Sequence, residues 1–93
     1  MSDILSLWQA HRDAGWPKLS SSNEGELMTL DTVISGCVTY FLDSEGLDAQ
    51  RVEILKSCLT DLDGLLPDIE DQASPYFERL RQLGGLLLQA SRR

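Results

Sequence analysis

His11 is the only histidine in the 93-residue chain, and Asp13 two positions on puts a carboxylate near it. An imidazole beside a carboxylate is the smallest acid–base unit a protein can build. No serine-histidine-aspartate arrangement accompanies it, and there is no Gly-rich phosphate loop, GxSxG, HExxH or CxxC motif. His11 falls on the edge of an apolar helical stripe, so a structural or surface role is expected for it rather than catalysis or metal binding. Cys37 and Cys58 are the two thiols, and no histidine lies near either in sequence. Both fall on apolar stripes and read as buried free cysteines acting as small hydrophobes, with a bridge between neighbouring helices as the alternative. Two buried free thiols suit the cytoplasm.

The remaining chemistry-bearing cluster is Asp61, Asp63, Asp68, Glu70 and Asp71. A helix–loop–helix calcium site needs oxygen ligands at its fifth and twelfth positions and glycine at its sixth. Counted from Asp61, the fifth residue is Leu65, the twelfth is Gln72, and Gly64 falls fourth. No metal and no cofactor are therefore expected. The cluster belongs to a wider asymmetry. Residues 43–78 hold ten acidic and two basic side chains, whereas residues 79–93 hold four arginines and no acid. The chain as a whole carries a formal charge of −7. That excess leaves no basic surface to follow a nucleic-acid backbone. It does provide an acidic lobe that would steer a basic protein partner.

These residues need elements to position them. Ile4, Leu7, Trp8 and His11 recur at helical spacing behind Ser2 and Asp3, and Gly15 with Pro17 closes the pattern, which predicts a helix over 3–14. Asn23 and Glu26 have the form of a capping box before Leu27, Leu30, Ile34, Cys37 and Phe41, which predicts a second helix over 24–43. Asp48 is a good N-cap, flanked by Leu47 and Val52 as a hydrophobic staple. The stripe through Val52, Leu55, Cys58 or Leu59, and Leu62 then runs to Pro67, giving a third helix over 49–66. Ser74-Pro75 opens a fourth over 75–91, with Tyr76, Leu80, Leu83, Leu87 and Ala90 on one face and Phe77 and Leu88 beside it. The fold class expected is all-α, an antiparallel four-helix bundle forming one domain over 1–93. No apolar run is long enough to span a membrane, and the charged opening MSDILSLWQAHRD reads as mature chain.

Two features remain. Trp16-Pro17 sits in the first loop, where tryptophan serves as a lid packed on Trp8 or as an anchor for a partner. Gly84-Gly85 interrupts the fourth helix, and two helical glycines cost about 2 kcal/mol relative to alanines. Close approach of another helix, from within the chain or from a second copy, is the favoured reason. Leu86, Leu87 and Leu88 cover more than one helical face, so Gly84, Gly85, Leu86 and Leu88 form a candidate self-association surface.

A chain this small has little core to give up to a catalytic cleft. The function expected is a non-enzymatic, cytoplasmic protein-binding module of regulatory, inhibitory or immunity type. It would take a basic protein partner on the acidic face and bind neither nucleic acid nor membrane. The alternative is a self-associating, homodimeric helical protein with a structural role.

Overall fold

A computed structural model describes residues 2–19, 22–69 and 72–91. Four α-helices follow one another: α1 (Ser2–Ala14), α2 (Glu24–Ser44), α3 (Ala49–Leu65) and α4 (Ser74–Ser91). A single 3-10 turn, Leu66–Asp68, continues α3 through Pro67. No strand occurs among the described residues. The chain is an all-α bundle. α4 packs against each of the other three helices, and α3 packs against α2.

Side-chain pairs fix the antiparallel order. His11 meets Asp31 and Trp16 meets Glu24, so α1 and α2 run in opposite directions. Arg51 lies over Tyr40 at the α2–α3 turn. Asp63 meets Arg81, and Leu59 lies against Gly84, which aligns α3 and α4 head to tail. As a result the 15–23 loop and the α3–α4 corner share one end of the bundle, and the short 45–48 turn lies at the other.

The helix ends have local causes. Gly15 ends α1 at φ +71°, in the left-handed region glycine enters without strain. Asp48 caps α3 as expected, its side chain accepting from the Arg51 amide at 2.8 Å. The expected capping box on α2 does not form. Asn23 sits at φ −89°, ψ 5°, outside the extended region a capping side chain needs, and makes no side-chain cap bond. The α2 C-cap is Glu45 at φ 62°, one residue before Gly46, and its N–H donates to the Phe41 carbonyl at 2.7 Å. α4 starts one residue earlier than expected. The Ser74 hydroxyl donates to the Glu78 carboxylate at 3.0 Å, and the Tyr76 amide reaches the Ala73 carbonyl.

The core is made by Leu27, Leu30, Ile34 and Val38 of α2, Leu55, Leu59 and Leu62 of α3, and Phe77, Leu80, Leu83 and Leu87 of α4. On α4 the fully buried aromatic is Phe77, and Tyr76 is half-buried. Tyr76 is therefore free to reach sideways towards α1 and α2. Ile69 and Ala73 turn back into the core from the α3–α4 corner. Both cysteines are buried and unbridged, as expected.

The two α4 glycines have different roles. A Cβ on Gly84 would stand 2.6 Å from Leu59 Cδ2, closer than packed carbons come, so the α3–α4 spacing requires glycine there. A Cβ on Gly85 would meet only the end of the Arg81 side chain, at 3.2 Å. One on Gly36, in mid-α2, would meet nothing within 4 Å. Gly36→Ala is expected to stabilise the fold by about 1 kcal/mol in urea denaturation through helix propensity. Gly84→Ala is expected to destabilise it by about 1–2 kcal/mol, the overpacking against Leu59 outweighing the propensity gain. Glu45→Gly is expected to raise stability by about 1 kcal/mol by relieving the left-handed C-cap.

Candidate partner-binding end of the bundle

The end of the bundle that holds the first loop and the α3–α4 corner is built on a buried polar cluster. His11, one turn from the end of α1, is only 5% exposed. Its Nε2 lies 2.6 Å from Asp31 Oδ1 on α2. An ionised carboxylate can only accept, so Nε2–H donates. The Tyr76 phenol of α4 lies close enough to the same carboxylate to feel its charge. The His11 and Tyr76 rings lie against each other with centroids 4.4 Å apart. Asp31 thus ties α2 to α1, where an apolar interface would otherwise leave it unpaired, and the His11 ring carries the contact on to α4.

The surroundings set the chemistry. Burial pushes the Tyr76 phenol well above its ordinary range, and the Asp31 carboxylate adds to that, while Arg79 pulls in the other direction. His11 Nδ1 is buried and has no hydrogen-bond partner among the described residues. With Nε2 held by Asp31 and Nδ1 enclosed, the imidazole presents no nitrogen to a reactant in solvent. The arrangement can tie and orient helices. Asp13, the sequence neighbour of His11, is exposed and is not the carboxylate that pairs with it. The true partner is twenty residues away and could not be read from spacing.

Above this cluster lies the first loop. Trp16 is 37% exposed, and its Nε1–H donates to Glu24 Oε2 at 3.1 Å. Its ring packs edge-on against Tyr76 and Phe77, with centroids 5.7 and 5.6 Å away. The lid reading therefore holds with a different floor, because Trp8 stacks on His11 instead. Pro17 is half-buried behind Trp16.

The acidic residues divide by circumstance. Asp61 and Asp68 are exposed and make no ion pair among the described residues. Asp63 is held by Arg81 through two bonds of 2.7 and 3.2 Å, so α4 neutralises that flank of the lobe. Glu70 and Asp71 lie outside the described residues. No group of three or more His, Cys, Asp or Glu among the described residues could hold a metal ion. No helix among the described residues is long and apolar enough to cross a membrane.

The candidate self-association residues also divide. Gly84 is buried against Leu59 inside the chain and is not available to a second copy. Gly85 and Leu88 line an open groove between α3 and α4, with Lys56, Asp63 and Arg81 at its rim. Leu86 is half-buried and packs against the core. Burial raises both thiols, Cys37 and Cys58. Each also feels nearby groups, among them Cys37 acting on Cys58.

The fold and its buried cluster define a small helical bundle with no enclosed ligand cavity among its described grooves. The chain matches no protein-family model, no curated protein and no solved structure.

Two outcomes test the cluster. Asp31→Ala leaves the buried His11 donor without its acceptor and is expected to cost about 1–3 kcal/mol in denaturant unfolding. Asp31→Asn keeps an acceptor oxygen and should cost less. Tyr76 has a folded-state pKa above its unfolded value, so its contribution is complete below about pH 10 and is lost as pH rises further. The thiols act with the same sign from lower pH. Tyr76→Phe should therefore flatten the alkaline part of the stability profile relative to the parent chain, leaving the thiol part unchanged.

Proposed function

We propose that this chain is a protein-binding module that takes a basic protein partner on the end of the bundle carrying Trp16 and the α3–α4 corner. The observation that supports this is the juxtaposition. The chain reversal brings the Trp16-Pro17 loop and the acidic corner to one end, although 45 residues of sequence separate Trp16 from Asp61. Trp16 offers a rigid aromatic surface braced by Tyr76 and Phe77, and Glu24 beside it supplies a carboxylate. Asp61 and Asp68 add unpaired charge, joined by Glu70 and Asp71 through their place in the sequence. Asp63 contributes less, because Arg81 already occupies it.

An aromatic anchor with a carboxylate rim suits lysine and arginine side chains, which stack on indole and pair with carboxylates. Such a partner would be captured quickly and released as salt rises. A regulatory, inhibitory or immunity role in the cytoplasm, without catalysis by the chain itself, is the reading these features support. Self-association is the second reading. It is favoured by Gly85, which lines an open groove beside Leu88 and would set a Cβ against nothing but the end of the Arg81 side chain.

Low-salt affinity capture followed by partner identification tests the main proposal. A basic partner should be recovered, and its affinity should fall steeply with salt. Asp61→Lys with Asp68→Lys should slow association about tenfold or more, and Trp16→Ala should speed dissociation. Capture of the chain by itself alone, together with silent charge reversals, would overturn it. Sedimentation of the purified chain separates the second reading, which a strict monomer excludes.

A further inference from the structure

The groove between α2 and α3 is a separate feature, and it carries its own inference. Val33, Gly36, Cys37, Tyr40, Arg51 and Ile54 line an open trough of about 500 Å³. Its walls are mainly apolar. Ile54 is 41% exposed there and gives the trough an apolar rim on the α3 side. Gly36 forms part of the floor, and the space above its Cα is empty to 4 Å. Nothing inside the chain calls for glycine at that position, neither a positive φ nor a close neighbour.

The flanking surface says what could lie in the trough. Between residues 27 and 42, α2 has one charged side chain, Asp31, and that one is turned inward to His11 and Tyr76. The exposed Thr32 and Thr39 hydroxyls donate back to the Met28 and Gly36 carbonyls, at 2.9 and 3.0 Å. Charge resumes only at the two ends of the helix, and there it is acidic: Glu26 at one, beside Glu24 that is turned to Trp16, and Asp43 and Glu45 at the other, with Asp48 just beyond. Arg51 is the cation in the trough, and it is already held between Asp48 at 2.6 Å and the face of Tyr40 at 3.8 Å.

We propose that this trough receives an amphipathic helix from a partner protein. Its apolar stripe would lie over Gly36 between Val33 and Ile54, and lysines or arginines at both of its ends would meet the α2 carboxylates. A stretch of sixteen residues corresponds to about 24 Å of helix, or four to five turns of the occupant. A helix fits because a two-helix trough with a glycine floor admits a third helix axis closely. Charge complementarity selects the occupant's ends. A second copy of this same face is disfavoured, since α2 against α2 sets carboxylate beside carboxylate in either direction. This surface does not depend on the Trp16 end, and the two can be tested apart.

The probe is a synthetic five-turn helical peptide with a leucine–alanine stripe and two lysines at each end, labelled for fluorescence anisotropy and titrated with the full chain. A control peptide carries glutamates in place of the lysines. The lysine peptide should bind saturably, and the glutamate peptide about tenfold more weakly or not at all. Gly36→Leu should weaken the lysine peptide by about tenfold or more, while its helical circular dichroism and melting temperature match or exceed those of the parent. Gly36→Ala, the milder variant, should give a smaller loss in the same direction. Asp61→Lys with Asp68→Lys should leave this binding within about twofold. Absence of saturable binding, equal binding of the two peptides, or a Gly36→Leu variant that binds unchanged would overturn the proposal. A concentration-dependent dimer that Gly36→Leu dissociates would overturn it as well, in favour of a second copy.

Discussion

The carboxylate of Asp31 constrains more of this fold than any other group. It lies on α2 between Leu30 and Ile34, at an interface that three helices share. A carboxylate there is tolerable only if donors reach it. His11 comes from α1, so satisfying one side chain fixes the rotation and height of α1 on α2, and the Tyr76 ring packed on that imidazole brings in α4. Apolar stripes can slide past one another with modest loss, whereas a short charge-assisted hydrogen bond cannot. The aromatic rings then follow. Tyr76 is held against His11, Trp8 stacks on that ring as well, and Trp16 closes over Tyr76 and Phe77.

A second constraint works on the opposite flank. Gly84 lets Leu59 press onto the α4 backbone, which brings α3 and α4 together where leucines crowd both helices. The same closeness places Asp63 within reach of Arg81. That ion pair is exposed and contributes little by itself. Its consequence is electrostatic, since it removes one charge from the acidic corner and leaves Asp61 and Asp68 as its unpaired members. α4 is thus joined to α1 by the packing of Tyr76 on His11 and to α3 by steric fit.

Much of this was legible in the sequence. Each predicted helix lies within a residue or so of its observed ends. Apolar periodicity, Gly15 and Asp48 act locally, and local signals survive folding. The capping box at Asn23 failed because residue type says which cap is available but not which φ and ψ the loop imposes. The left-handed C-cap at Glu45 has the same kind of cause: hydrogen-bond register decided it, the Glu45 N–H donating to the Phe41 carbonyl. His11 was the hardest to place. Its sequence neighbour Asp13 points away, and its real partners stand on two other helices. No periodicity argument links residues 11, 31 and 76. A polar residue on an apolar stripe is the one available sign, and both His11 and Asp31 carry it. Trp16 was legible as a lid, but what lay beneath it was not, because that depends on Tyr76 leaning aside from the α4 core face.

The surface left by these constraints is divided by charge. The first-loop end combines an indole with carboxylates, while the outer side of α2 is uncharged over most of its length because its one acid is turned inward. The two surfaces respond to different physics. Coulomb attraction extends over about a Debye length, roughly 8 Å at physiological ionic strength, and acts before contact, so it governs the rate of encounter. Apolar contact acts only after water has been expelled, so it governs how long a complex lasts. Turning Asp31 inward therefore does more than tie α1 to α2. It clears charge from the middle of α2, so the charged side chains that line the trough, Asp43 and Arg51, stand towards the 45–48 turn.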